Sequence, residues 1–105
     1  MSSELKLTEE KTEDSVKIYL SGEVDIYTAQ DLKEKLYGII DSSRKDLVID
    51  CKDLNYIDST GLGIFVGTLK KARSYESKIY ISNLKENIKK LFVITGLDKL
   101  FIIKE

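Results

Sequence analysis

The stretch that decides the fold is Leu47–Gly63, which reads LVIDCKDLNYIDSTGLG. Its first five residues are almost continuously apolar, which predicts a central strand covered on both faces of a sheet, or nearly so. A polar segment follows, and then Asp58, Ser59 and Thr60 precede an apolar helical pattern that begins at Leu62. Each of these three side chains is a good N-cap. The stretch therefore predicts a strand that passes directly into a helix near Ser59.

That helix is predicted to span Ser59 to about Tyr75, and it contains two glycines. Gly63 and Gly67 lie about one turn apart, and each costs about 1 kcal/mol relative to alanine in a helix interior. Either the glycines allow close approach to a neighbouring strand, the explanation we favour, or a partner packs against the glycine face. The predicted apolar stripe of the helix consists of Leu62, Phe65, Val66, Leu69 and Ala72.

Two strands and a helix are predicted upstream. Val16–Ser21 alternates apolar and polar residues, which predicts a half-buried strand that Gly22 ends or bulges. A weaker strand around Leu5–Leu7 and the polar segment Glu9–Ser15 predict an antiparallel hairpin. The next helix is predicted from Thr28 to about Ser42. Thr28 would cap it, and Asp31 three residues later would complete an acidic capping box.

The downstream sequence adds three short elements. Lys78–Ile81 predicts a strand, and Asn83 followed by Glu86 predicts the start of a helix that ends just before Gly96. Leu100–Ile103 predicts an edge strand or a last helical turn. The order of elements predicts an α/β fold with a mixed sheet of about four to five strands, a parallel core and three to four helices.

Composition excludes several classes of function. A chain of 105 residues suits a single domain over residues 1–105, and 17 basic against 18 acidic residues argue against a nucleic-acid site. Histidine is absent, and Cys51 is the single cysteine. Zinc sites of the Cys/His type, histidine catalysis and disulfide frameworks are thereby excluded, and Cys51 is predicted to be a small buried hydrophobe. With no signal sequence or membrane-length apolar run, we expect a cytoplasmic protein without a membrane partner.

The start of the second helix is the strongest candidate for a functional site. A phosphate on Ser59 or Thr60 would lie where backbone N–H groups lack partners and the helix dipole favours negative charge. Because ligand surfaces gather beyond the carboxyl ends of parallel strands, Tyr56–Gly63 should lie near the loop that contains Asp25 and Tyr27. The hypothesis is a modification switch. Simple helix capping is the alternative, and the two are compatible.

Three segments carry a resemblance to a known family. Gly22–Ala29 (GEVDIYTA) resembles the family's first βα junction. Asp58–Gly63 (DSTGLG) resembles its phosphorylation motif, and Leu91–Leu97 (LFVITGL) resembles its third helix. That family comprises the STAS domains of bacterial anti-sigma factor antagonists, and the likeness is strongest to its general-stress type. Ser59 corresponds to the family's phosphoacceptor, and Thr60 is a weaker candidate.

What the resemblance implies is a partner-switching protein that is not an enzyme and needs no cofactor. The unphosphorylated protein would bind an anti-sigma factor that is also a serine kinase, freeing a sigma factor and promoting transcription. Phosphorylation of Ser59 would reverse this, and a serine/threonine phosphatase would restore the binding form. The residues expected at the partner surface are Asp25, Tyr27, Asp58, Ser59, Thr60, Gly61 and Gly63.

Four alternatives start from the same residues. A serine hydrolase would need glycine at Ile57 and a histidine base, and the chain has neither. A nucleotide-binding module could use backbone donors of Thr60–Gly63, but it lacks the P-loop lysine. An aspartyl phosphoacceptor at Asp50 would lack the paired carboxylates that bind magnesium. The last alternative is a scaffold module in a signalling complex, for which phosphorylation would not abolish partner binding.

Overall fold

The structure, a computed structural model, describes residues 4–104. Five strands form one sheet in the order β1-β2-β3-β4-β5, in which β1 is antiparallel to β2 and the other pairs are parallel. The predicted α/β fold with a mixed sheet is thus confirmed. In chain order the elements are β1 (Leu5–Lys11), β2 (Ser15–Val24), α1 (Ala29–Ser43), β3 (Asp46–Ile57), α2 (Ser59–Ser74), β4 (Ile79–Ser82), α3 (Glu86–Ile94), a 3₁₀ turn (Leu97–Lys99) and β5 (Ile102–Lys104).

The core lies on one face of the sheet. In β3, Leu47, Ile49 and Cys51 are buried, whereas Val48 and Asp50 between them are partly exposed. The expectation that this strand is covered on both faces is therefore wrong. The buried side chains of all three helices join those of a single face of the sheet in one cluster, so no helix within residues 4–104 covers the opposite face.

Strand β3 is longer than its apolar run. Its second half is mostly polar and exposed, yet it stays extended because it pairs with β2 as far as Ile57, which lies opposite Val24. The pairing shifts register twice, between Tyr19 and Ser21 and between Gly22 and Glu23, and the φ of 112° at Gly22 suits glycine. Buried positions in this half of β3 therefore recur every third residue rather than every second, which hid the strand from a period-two pattern.

Two predicted helix caps differ from the structure in different ways. Thr28 does lie at the N-cap position of α1, as predicted, but its side chain makes no capping hydrogen bond; its hydroxyl donates to the carbonyl oxygen of Glu23 at 2.8 Å. The predicted cap at Asn83 is wrong. Asn83 lies two residues before the cap position of α3 in a left-handed conformation, and its amide donates to Asp50 Oδ1 at 3.2 Å. Gly96 does follow the end of α3 with a φ of 76°, as predicted.

Gly67 faces the side chain of Tyr37 on α1 and not a strand. A Cβ at this position would collide with the hydroxyl of Tyr37 on α1. Near the C-terminus of α2, the Asp41 carboxylate of α1 accepts hydrogen bonds from Tyr75 Oη at 2.7 Å and Lys71 Nζ at 3.1 Å. These bonds, that of Tyr75 first, lower the pKa of Asp41. The C-terminal halves of the two helices are thus joined side by side.

Three phenylalanine side chains pack together in the part of the core that joins α2 and α3. Phe65 of α2, Phe92 of α3 and Phe101 before β5 form three edge-to-face pairs, with ring centroids 5.9 to 6.3 Å apart. Cys51 is buried in the same core, as predicted for a small hydrophobe. Burial, with the nearby charge of Asp50 adding to it, raises the pKa of Cys51 to about 12.

Candidate partner-binding site

The ends of β2 and β3 bring the two candidate segments together. Val24 and Ile57 pair at the carboxyl end of the sheet, and the Asp58 N–H donates to the Val24 carbonyl oxygen at 3.2 Å. The loop after β2 and the start of α2 therefore leave the same edge side by side, as the topology rule for parallel strands predicts.

Asp58 is the residue that caps α2. Its backbone is extended, and its Oδ1 accepts hydrogen bonds from the N–H groups of Thr60 at 3.0 Å and Gly61 at 3.2 Å. The cap leaves the hydroxyls of Ser59 and Thr60 unused. Both residues are exposed, and neither hydroxyl makes a hydrogen bond within residues 4–104. Two free hydroxyls thus stand in the first turn of the helix.

This cap changes the expected environment of a phosphate. The N–H groups of Thr60 and Gly61 are already bound to the Asp58 carboxylate, so they are not open donors for an anion. A phosphate on Ser59 would still lie at the positive end of the helix dipole, but beside a carboxylate of like charge. The same occupied donors weigh against a nucleotide-phosphate site at Thr60–Gly63.

The two glycines at the start of α2 have different roles. Gly61 is buried, and a Cβ there would lie 2.5 Å from Val24 Cγ1 and 2.6 Å from Ile57 Cγ1. Gly61 therefore lets the first turn of α2 pack closely on the ends of β2 and β3. The expectation that Gly61 lies at the partner surface is wrong, because this residue is buried. Gly63 is exposed, with no atom within 4 Å of its Cβ position. The favoured close approach to a strand is thus wrong for Gly63.

Asp25 organises the loop after β2. Its Oδ1 accepts hydrogen bonds from the N–H groups of Tyr27 at 2.8 Å and Thr28 at 3.2 Å, and its carbonyl oxygen accepts one from Ala29 at 2.8 Å. This turn projects Tyr27 outward, with 80% of its surface exposed, and Ile26 with 67% exposed. Asp25 thus holds the loop, while its neighbours form the surface.

Ile26 and Tyr56 are two further exposed residues at this edge that the sequence patterns do not indicate as partner-surface residues. Tyr56, which pairs with Glu23 near the end of β3, is 48% exposed. The available signal was an isoleucine inside a loop of cap and turn residues, where polar side chains are usual. The exposed residues of these segments are here called the carboxyl-edge patch; its members are Ile26, Tyr27, Tyr56, Ser59, Thr60 and Gly63. Exposed apolar side chains at one edge of a sheet are typical of protein interfaces.

The structure gives no support to the alternative of an aspartyl phosphoacceptor at Asp50. Asp50 Oδ1 is engaged by the N–H of Lys52 at 2.9 Å and by Asn83. Within residues 4–104, no three acidic, cysteine or histidine side chains gather closely enough to hold a metal ion. None of the helices in this part of the chain has the length and apolar character needed to cross a membrane.

Comparison with known proteins identifies the family. The family model described as STAS domain matches residues 6–105. The chain is 41% identical over 87 residues to the anti-sigma-B factor antagonist of Bacillus subtilis (strain 168), which covers 83% of this chain and 79% of that protein. The structure of an anti-sigma factor antagonist from Mycobacterium paratuberculosis matches with a TM-score of 0.85 and 25% identity, over 95% of this chain and 85% of that one.

The fold is also shared with SpoIIAA, a Bacillus anti-sigma factor antagonist solved in two forms. Its unphosphorylated form matches with a TM-score of 0.75 and 18% identity, over 97% of this chain and 88% of that one. Its phosphorylated form matches with a TM-score of 0.74 and 20% identity, over 97% and 92%. Because the family model spans almost the full length and a relative shares 41% identity, the chain belongs to the STAS domain family.

Proposed function

We propose that this protein is an anti-sigma factor antagonist controlled by phosphorylation of Ser59. When unphosphorylated, it binds an anti-sigma factor that is also a serine kinase and so frees a sigma factor; a serine/threonine phosphatase reverses the modification. The protein acts in the cytoplasm as one domain over residues 1–105, without catalysis or a cofactor. The observation that carries the proposal is the exposed, unbonded Ser59 hydroxyl at the start of α2, beside apolar side chains at the same sheet edge.

The charge of a phosphate explains how one modification controls binding. Phosphoserine adds about −1.5 to −2 charges, here next to the Asp58 carboxylate and within a patch that includes exposed Tyr27 and Tyr56. A partner that covers these aromatic side chains would have to desolvate the phosphate as well. Like-charge or unpaired-charge contacts in an interface cost several kcal/mol, and about 1.4 kcal/mol is tenfold in affinity.

Phosphorylation is expected to leave the fold intact. Ser59 is exposed and outside the core, and the dipole of α2 favours negative charge at this end. The likeness of this chain to both forms of SpoIIAA, with TM-scores of 0.75 and 0.74, agrees with a fold that tolerates the modification. The switch would therefore act through the surface and not through unfolding.

The first test maps the modified residue. The protein is incubated with ATP and a purified anti-sigma factor kinase from the same organism, and the phosphopeptides are identified by mass spectrometry. We expect phosphate on Ser59 in the wild type and at least a hundredfold less modification of Ser59→Ala. Thr60→Val is the matched control and should be modified at the wild-type rate. Undiminished modification of Ser59→Ala would contradict the assignment.

A second test uses the exposed glycine of the carboxyl-edge patch. Gly63→Ala is expected to raise the free energy of unfolding by about 0.5–1 kcal/mol, because alanine favours helix and its Cβ would meet open space. If a partner packs on this helix face, the added methyl group should weaken partner binding several-fold despite the gain in stability. Chemical denaturation and calorimetric titration with the anti-sigma factor measure the two effects.

Gly38 is the matched control for that substitution. It lies exposed within α1, and its Cβ position is equally free of neighbours. Gly38→Ala should therefore stabilise the protein by a similar amount without changing partner affinity. Equal affinities for Gly63→Ala, Gly38→Ala and wild type would show that Gly63 lies outside the interface.

A further inference from the structure

Strand β1 forms one edge of the sheet and presents unpaired backbone groups. The Glu23 N–H donates to the Glu4 carbonyl and the Thr12 N–H to the Ser15 carbonyl, both at 2.9 Å. Along an antiparallel pair, residues that hydrogen-bond to the partner strand alternate with residues that do not, so these two bonds show that the even-numbered residues bond to β2. The N–H and C=O groups of the odd-numbered residues from Leu5 to Lys11 therefore point away from β2. No strand within residues 4–104 pairs with that side.

Charged residues usually keep an exposed edge strand from pairing with another strand. Here, however, the order of charges along β1 is complementary to that of a second, antiparallel copy of β1. If two β1 strands pair antiparallel about a twofold axis at Thr8, Lys6 of each copy lies directly opposite Glu10 of the other. Thr8 then faces Thr8, and every outward backbone group from Leu5 to Lys11 gains a partner. Moving the axis to residue 7 would instead place Glu4 opposite Glu10, and moving it to residue 9 would place Lys6 opposite Thr12.

We propose that β1 is a self-association edge, at which a second copy of this chain adds its own β1 to form a continuous ten-stranded sheet. The occupant is a second copy because an identical antiparallel strand presents the reversed Lys6 to Glu10 order in the register that pairs every outward backbone group. The paired surface is one seven-residue strand from each copy, which is less than a permanent dimer buries, so the association is weak and depends on concentration. The edge belongs to the strand farthest from β4 and β5, and the association does not require modification of Ser59.

Disulfide trapping tests the position of the axis. Residues that face each other at a non-hydrogen-bonded position have Cα atoms about 4.5 Å apart, a separation that a disulfide bridges. Thr8→Cys in the full chain should therefore form an intermolecular disulfide at least tenfold faster than Glu13→Cys, an equally exposed control in the hairpin turn. The native Cys51 does not compete because it is buried with its pKa raised to about 12. Equal rates for the two variants would overturn the proposal.

Charge exchange tests the register independently. Glu10→Lys places lysine opposite Lys6 at both symmetric contacts, and we expect the dimer dissociation constant, measured by sedimentation equilibrium, to rise about tenfold. The double variant Lys6→Glu/Glu10→Lys restores opposite charges and should recover wild-type association. Thermal melts of each variant check the fold. Because Glu10 also lies opposite Lys17 of β2 within the same chain, both variants that carry Glu10→Lys should lose the same small amount of stability, and the comparison between them is unaffected. A double variant that associates no better than Glu10→Lys, or a wild type that stays monomeric at millimolar concentration, would refute the edge.

Discussion

Replacing Phe92 with alanine is expected to lower the free energy of unfolding by about 3–5 kcal/mol. Phe92 is fully buried, and its ring contacts those of Phe65 and Phe101 edge to face. The substitution removes two aromatic pairs and leaves a cavity between α3 and the rest of the core. Because small domains are stable by only about 5–15 kcal/mol, this loss is a large fraction of the total stability and should lower the melting temperature markedly. Urea denaturation followed by circular dichroism measures the loss.

Val93 is the control next to Phe92 in α3. It is 54% exposed, so Val93→Ala should change the free energy of unfolding by less than about 0.5 kcal/mol. Phe92→Leu, which keeps part of the apolar volume, should fall between the two. Similar losses for Phe92→Ala and Val93→Ala would contradict the packing of α3 onto the sheet.

Replacing Ser59 with glutamate is expected to weaken binding to the anti-sigma factor about a hundredfold, which corresponds to about 2.7 kcal/mol. The glutamate puts a permanent charge next to the Asp58 cap, in the exposed first turn of α2. Ser59→Ala should bind like the unmodified protein. The helix dipole favours a negative charge in the first turn, so neither variant should lose stability. Calorimetric titration with the purified partner gives the affinities.

Ser74→Glu separates position from charge. Ser74 is the last residue of α2 and is exposed, so this variant adds the same charge at the opposite end of the helix. Its partner affinity should stay within about twofold of wild type, although the dipole makes it slightly less stable. If Ser59→Glu binds as tightly as Ser74→Glu, a charge at the start of α2 does not control binding and the proposed switch fails.

The strands and helices that contribute side chains to the core could be predicted, because burial of one face leaves a regular pattern of apolar residues within each segment. Alternation in Val16–Ser21 and the apolar stripes of α1 and α2 each depend only on which side chains of one segment face the core. The second half of β3 could not be predicted in this way. It stays a strand because β2 lies beside it, and the two register shifts, between Tyr19 and Ser21 and between Gly22 and Glu23, remove the alternation that a local pattern requires.

Helix caps show why neighbouring residues alone are insufficient. Asp58, Ser59 and Thr60 all suit a cap, and the choice of Asp58 follows from its N–H bonding to Val24 at the end of β2. Thr28 is an equally good cap by type, but its hydroxyl is bound to the Glu23 carbonyl at the end of the same strand. In both cases the deciding hydrogen bond involves backbone at the end of β2.

By itself the sequence determined the α/β order of elements, the buried state of Cys51 and the placement of Ser59 at the start of α2, because each depends on the side chains of one segment and on strand direction. Only the tertiary structure decided which side chains at that edge are exposed. Gly61 is buried because α2 rests on Val24 and Ile57, whereas Ile26 projects outward because Asp25 binds the loop backbone. Exposure depends on which segments of the fold meet, and a pattern within one segment does not contain that information.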